Sequence, residues 1–339
     1  MSRRMLTVVA ATLLALSLGV IGATLPVPFV ALGPGPTYDT LGEYEGAPII
    51  DVADLPTYPT SGHLNMTTVS VTDKLSLFTA LALWLSPERR LVPREPIFPS
   101  DRSTQEVQDE NAAQFTSSEL NAVSAALTEL GTPASVVVVG VVADSPADGL
   151  LELQDQIVSV DGVPVSTAEA VTEQLGGSAP GQTASLVVRR AGEELTVPVV
   201  LGTRPDRPQG FLGITPGLGP LPGADVTISL GGIGGPSAGL MFALGVVDKL
   251  TPGELTGGTF VAGTGSIGPS GAVSAIDGVP FKMIAAREVG ATVFLVPAAN
   301  CEEAAATAPA GLTLVRVDTL DDAVSSLDAL RDGSATPPC

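Results

Sequence analysis

Ser237 stands in the run GGIGGPSAGL, Gly231 to Leu240, where a glycine-rich turn leads into an apolar stretch, GLMFALGVVDKL, that reads as a helix. A turn of this kind presents a nucleophilic hydroxyl, and a serine hydroxyl needs a base within hydrogen-bond reach. The chain contains one histidine, His63, far upstream, and three lysines, Lys74, Lys249 and Lys282. A Ser-Lys dyad therefore fits better than a histidine triad. Lys249 lies on the same expected helix, about 18 Å along its axis from Ser237, which is too far for direct proton transfer. Lys282 follows a strand-rich stretch, TFVAGTGSIGPSGAVSAIDGV, and opens a second helical stretch, VPFKMIAAREVG. A return of the chain would bring it beside Ser237. Lys74 belongs to a separate upstream segment, and distance alone does not exclude it. Lys282 is the favoured base.

A lysine can serve only if its amine is neutral, and its ordinary pKa of about 10.4 forbids that near pH 7. Burial disfavours the ammonium, and a nearby helix N-terminus pushes the same way. Val279, Phe281, Met283 and Ile284 flank Lys282 and offer the dry setting. Backbone N–H groups of the nucleophile turn, with Gly235, Pro236 and Ala238 as the candidate positions, would receive the developing oxyanion. Two other motif matches fail. GPSAG fits the G-x-S-x-G nucleophile elbow, but that arrangement needs a histidine after the serine and none follows Ser237. GTGSIG, Gly263 to Gly268, fits G-x-G-x-x-G, but a turn and a strand follow it where a dinucleotide site needs a helix. The chain has no G-x-x-x-x-G-K-[ST] segment, so no ATPase motor is expected.

From Pro208 to about Leu330 the chain resembles the proteolytic domain of Lon-type proteases. The nucleophile motif PSAG is present as Pro236, Ser237, Ala238 and Gly239. The lysine motif TG-x-I-x-x-x-G-x-V-x-x-I-x-G-x-x-x-K reads TGSIGPSGAVSAIDGVPFK, from Thr264 to Lys282. The resemblance implies that Ser237 attacks the scissile carbonyl, that Lys282 is the general base, and that Thr264 helps hold the lysine by a hydrogen bond. Gly234 stands where Lon proper usually has an acidic residue, and Ser266 where it often has Glu. Both departures suit the membrane-anchored, PDZ-containing relatives. A ring-shaped homo-oligomer is possible by the same analogy.

The elements that must position this site read as follows. Residues 1–29 form a cytoplasmic stub and anchor: Met5 to Leu25 carries no charge, and the next charged residue after Arg4 is Asp39. About 20 apolar residues span a bilayer, and Arg3 and Arg4 favour a cytoplasmic N-terminus. The bulk of the chain is then extracytoplasmic, at the cell membrane; a cleaved signal peptide is the rival reading. Residues 30–124 are assigned to an N-terminal extracytoplasmic region. Within it HLNMTTVSV alternates like a strand, and KLSLFTALALWL reads as a core helix, with contact at the membrane surface left open. Ser117 to Gly131 reads as a helix. Residues 125–202 resemble a PDZ domain of the bacterial protease-associated type. Its matching elements are SPADG, LQDQIVSVDG with Asp155, and the PGQ turn before a strand. The resemblance implies that protein or peptide substrates add to a sheet edge, with the loop Gly131 to Ala134 receiving a terminal carboxylate. TRPDRPQG links this module to a catalytic domain over 208–330, and residues 331–339 read as a disordered tail.

The expected fold is thus α+β and multidomain, with a transmembrane helix, a PDZ-like β-sandwich or barrel with helices, and a Lon-type α+β domain. A net charge of −20 argues against nucleic acid and anionic surfaces. Two cysteines, Cys301 and Cys339, leave room for one bridge and no disulfide framework. No His/Cys cluster has metal-ligand spacing, so no metal or cofactor is expected, and His63 reads as a loop or surface residue. The function expected is an ATP-independent, membrane-anchored serine endopeptidase. The rival is an inactive PDZ-based scaffold, against which the intact Ser237, Thr264 and Lys282 set argues.

Overall fold

The structure is a computed structural model describing residues 3–339 apart from 54, 132–134, 191, 205–206, 220–224 and 232. In chain order it runs α1 (Arg3–Thr24), β1 (Phe29–Asp39), β2 (His63–Thr72), α2 (Leu77–Trp84), β3 (Arg90–Pro93) and α3 (Thr104–Glu129). Then come β4 (Ser135–Val141), β5 (Gln156–Val160), α4 (Ala168–Gly176), β6 (Thr183–Arg190), β7 (Glu193–Val200) and β8 (Ile214–Gly219). The last part holds α5 (Gly239–Leu250), β9 (Phe260–Gly263), α6 (Val279–Glu288), β10 (Val293–Pro297), α7 (Cys301–Thr307), β11 (Thr313–Val317) and α8 (Leu320–Arg331). Short two-stranded pairings lie between them.

Two sheets organise the chain. The first has the order β11-β10-β9-β2-β1-β3 and is mixed. β9 pairs in parallel with both β2 and β10, while β1 pairs antiparallel with β2 and β3. Residues 29–93 therefore share a sheet with residues 260–317. This differs from the expected division, which set 30–124 apart. The reason is that strand pairing is blind to sequence distance, whereas the motifs lie only in the C-terminal third. α5 is buried from Gly239 to Asp248, a helix apolar all round and hence central. Phe242 meets Phe115 of α3 edge to face at 5.7 Å, and Ala122, Ala125 and Ala126 bring the rest of α3 against the same core.

The second sheet, β7-β6-β5-β4-β8, is antiparallel and closes over α4 with its own core of Val136, Val138, Ile157, Val171, Leu186, Val188 and Val199. Asp155 is buried and takes both Nε and Nη2 of Arg190, at 2.7 and 2.6 Å, fastening the β4–β5 connection to β6. This sheet interrupts the first between α3 and Asp225–Ile228, which returns to pair with Ile50–Ala53. Its last strand, β8, lies beyond residue 202 and inside the stretch expected to be catalytic. Pro216 interrupts the strand pattern there, and proline in a sheet is tolerated at an edge, which is where β8 sits. The fold class is the α+β multidomain arrangement expected.

Three further expectations change. α3 begins at Thr104, not Ser117: Ser103 and Glu106 form a capping box that starts a polar turn with no apolar period. α2 is not a core helix, because only Ala80 on it is buried. The tail is tied down: Cys339 forms a disulfide with Cys301, and Arg316 N–H donates to Pro337 O at 2.9 Å. α1 is exposed along almost its whole length and is long and apolar enough to cross a membrane.

Candidate active site

The nucleophile turn is built by local necessity. Gly235 has φ of +90°, a conformation that favours glycine. At Gly239 a Cβ would come within 2.8 Å of both Ile267 Cγ2 and Ser118 Oγ, so the first residue of α5 must be small for the turn to seat. Ser237 ends that turn, two residues before α5, and is half-buried.

The turn is cross-braced to the segment after β9. Gly265 N–H and Thr264 Oγ1 both donate to Ser237 O, at 3.0 and 3.1 Å, and Leu240 N–H donates to Gly265 O at 3.1 Å. On its other side, Gly235 N–H donates to Asn111 O at 2.9 Å and Ser118 Oγ donates to Pro236 O at 3.0 Å. Asn111 and Ser118 both sit on α3. The oxyanion candidates divide accordingly. Pro236 has no N–H, and the Gly235 N–H is spent on Asn111, which leaves the amides of Ser237 and Ala238 at the helix start.

Lys282 projects from the first turns of α6 into the same place. Its Nζ donates to Ser237 Oγ at 2.7 Å and to Thr264 Oγ1 at 2.9 Å. Lys282 is 2% exposed and Thr264 fully buried. Val279 and Met283 shut water out on the α6 side; Phe281 and Ile284, also expected to do so, are half-buried. Burial pushes the Lys282 amine down to about 7, against the opposing pull of Asp277. The positive N-terminal end of α5 faces the same nitrogen through Ser237. Asn300 steadies the approach to α6: Ile276 N–H donates to its Oδ1 and its Nδ2 donates to Ile276 O, both at 2.9 Å. Ser237, Thr264 and Lys282 are thus brought together. Lys249 is not: its Nζ donates to Ile50 O at 2.7 Å at the far end of α5. Lys74 lies on an exposed turn before α2. His63 is exposed at the start of β2, with Nδ1 2.6 Å from Asp39 Oδ2. Among the described residues no group of His, Cys, Asp and Glu could hold a metal ion.

Sequence reasoning missed Asn111, Ser118 and Asn300. Asn111 acts through its main-chain O, which no side chain signals, and a polar residue on a helix face or before a helix start carries no sign of a distant partner. The site opens into a cleft of about 650 Å³ whose apolar side is Tyr38, Met66, Phe115 and Ile233. A second cleft of about 630 Å³ lies between α4 and the edge strand β8, lined by Val171, Leu175, Phe211 and Ile214 among others. Of the expected carboxylate loop, Gly131 to Ala134, all but Gly131 lies outside the described residues.

Comparison with known proteins finds two domain models in the chain. Residues 231–328 match the sequence model of the Lon protease C-terminal proteolytic domain. Residues 106–201 match that of the PDZ domain, a span that takes in most of α3 and stops short of β8. The chain joins a Lon-type proteolytic domain to a PDZ domain. The Lon-type match includes Ser237, Thr264 and Lys282. A probable periplasmic serine endoprotease, DegP-like, from Ectopseudomonas mendocina is 36% identical over 81 residues, 24% of this chain. The match spans 17% of that protein's length. Among solved structures, the PDZ domain of the SdrC-like protein from Listeria monocytogenes is 22% identical, covering 24% of this chain and 86% of that one, with a TM-score of 0.23. The HtrA-type protease AlgW, solved with a tripeptide, is 33% identical over 24% of this chain and 28% of that one, with a TM-score of 0.21. PDZ domains bind peptides as a class.

Proposed function

We propose that this protein is a membrane-anchored serine endopeptidase in which Ser237 is the nucleophile and Lys282 the general base, working outside the cytoplasm and without nucleotide. The observation that carries the reading is the 2.7 Å contact between Lys282 Nζ and Ser237 Oγ, made by a buried amine whose pKa is held near 7. When neutral, Lys282 accepts the Ser237 hydroxyl proton as Oγ attacks the scissile carbonyl carbon. The carbonyl electron pair moves to oxygen and is met by the amides at the start of α5. Collapse expels the amine, which takes the proton from Lys282, and leaves an ester on Ser237. Water then attacks that ester, losing its proton to Lys282; collapse breaks the bond to Ser237 Oγ, which takes the proton back from Lys282 as the acid product leaves. Thr264 orients the amine through its Oγ1, since it donates to Ser237 O while accepting from Nζ.

α1 serves as the anchor in this reading, with Arg3 and Arg4 on the cytoplasmic side. The Cys301–Cys339 disulfide supports an oxidising compartment for the remainder. The PDZ domain recruits polypeptides, which add as a strand to the free edge of β8 and lay side chains in the groove beside α4. The test is substrate profiling of the full chain against Ser237→Ala. Cleavage that survives in Ser237→Ala removes the reading.

A further inference from the structure

α2 seats itself on the body with one side only. Ala80 and Leu83 pack with Ala31, Leu75, Val27 and Leu91. The opposite face carries Leu77, Phe78, Leu81, Trp84 and Leu85, which are 50–72% exposed. The spacing i, i+1, i+4, i+7, i+8 puts these five on one helical stripe; Phe78 leans on α1 and is still half exposed, and the other four lie open among the described residues. A stripe of this size on a water-facing surface marks an interaction site.

Its position says what covers it. α2 stands at the exit of α1. Val27 N–H donates to Leu75 O at 2.8 Å, Pro26 pairs with Ser76, and the Phe78 ring lies against Gly22 of α1. Phe29, also exposed, stands two residues before Ala31 on the strand face that α2 packs against. The rim has the opposite sign to the protein as a whole. Residues 73–94 hold Lys74, Arg89, Arg90 and Arg94 against Asp73 and Glu88, within a chain of net charge −20. Arg94 is paired with Asp73, so the cations left to face outward are Lys74 and Arg90, both exposed.

We propose that α2 lies in the interface of the membrane that α1 enters, its apolar stripe among the acyl chains and Lys74 and Arg90 at the anionic headgroups. This rests on the reading of α1 as an anchor. The observations agree with what such a helix requires: an apolar face, flanking cations, and a tryptophan at the boundary between chain and headgroup. With α1 inserted and α2 bedded, the first sheet is held at two points. The cleft of Ser237 then keeps one height and one tilt above the bilayer, and substrates tethered near the membrane reach it first.

Trp84 is the only tryptophan in the chain, so the full-length protein reports on itself. The protein is reconstituted in phosphatidylcholine–phosphatidylglycerol vesicles carrying lipids brominated near the glycerol end of the acyl chain. Bromolipid should quench Trp84 strongly, aqueous iodide should quench it weakly, and Leu81→Asp should cut the bromolipid quenching by at least about half. Leu81→Asp should also slow cleavage of a membrane-tethered substrate about threefold or more while leaving a free peptide unaffected. Ready access to iodide without bromolipid quenching overturns the proposal. Shielding from both quenchers overturns it too, because protein would then be the cover. Alkaline carbonate extraction of the same vesicles reads α1 separately. Retention without Trp84 quenching sinks the seat of α2 alone. Release of the protein sinks the anchor reading, and the seat falls with it.

Discussion

The two sheets of this molecule are assembled in opposite ways. The PDZ sheet is made from one continuous stretch in which neighbours in sequence are mostly neighbours in space, as where β6 turns directly into β7 with full register from Thr183↔Val200 to Arg190↔Glu193. The catalytic sheet is made from both ends of the chain, with β9 laid between β2 and β10 in parallel register. The first is a module that can be spliced into a chain. The second holds a site whose parts come from α3, the nucleophile turn, β9 and α6. The splice falls directly after α3, and α3 is the element that hydrogen-bonds the nucleophile turn through Asn111 and Ser118. On the proposed function, recruitment and cutting are therefore separate in the first order and mechanically adjacent in the second.

The largest effect expected falls wholly on the cutting side. Ser237→Ala and Lys282→Ala should each lower peptidase activity by about 10⁴-fold or more while the fold persists, and the double variant should be no worse, since the pair acts as a unit. Lys282→Arg should be equally inactive, because a guanidinium stays protonated. Far-UV circular dichroism alongside peptide turnover checks this, and parental activity in Lys282→Ala would assign the base elsewhere.

Next comes the recruiting side. Replacing residues 135–219 with a short linker should slow cleavage of protein substrates by about tenfold or more, the effective-concentration gain of a docked chain, and small peptides far less. Equal losses for both would mean that the sheet gates the catalytic turn through α3. No loss for either would give the PDZ domain another partner.

Ser118→Ala sharpens the adjacency. It removes one hydrogen bond to Pro236 O, worth about 1 kcal/mol, and should reduce kcat several-fold with KM nearly unchanged. A change confined to KM would place Ser118 in binding rather than in alignment of the turn.

The smallest effect concerns stability. Burial pushes the Asp248 carboxyl up to about 6, with Glu254 adding and the Leu255 N–H opposing. A carboxyl raised in the folded state binds its proton more readily there than when unfolded. Its contribution to stability is therefore lost as pH rises from the ordinary carboxylate range through about 6. Asp248→Asn keeps an acceptor for Leu255, which donates to Oδ1 at 2.9 Å. It should raise Tm by a few degrees above about pH 6 and leave it unchanged below about pH 4.

What was legible in the sequence was what is local. The PSAG turn, the stretch ending in Lys282 and the PDZ segments carry their own signals, and the bounds of α5 could be read from its apolar run. What was not legible depends on distant partners. β1 and β2 carry enough Thr, Gly and Pro to pass as loop and isolated strand, yet they lie at the centre of a sheet. The first turns of α3 are polar on every side and show no period. α2 has the composition of a core helix, and only the structure shows which face is spent. Cys339 reads as a loose end until it is seen against Cys301. The three residues that steady the site act across the fold, Asn111 through its main-chain O, Ser118 through one bond and Asn300 through two, and no local pattern encodes this.

The central claim is that a neutral Lys282 activates Ser237, and the rate of covalent labelling by a fluorophosphonate measures it most directly. With the full-length protein, the label should be found on Ser237 by mass spectrometry. Its rate should rise with pH through about 7, where Lys282 loses its proton, and Lys282→Ala should abolish the rise and nearly all of the labelling. Label on another residue, or a Ser237 rate in Lys282→Ala equal to the parent's at every pH, would contradict the account.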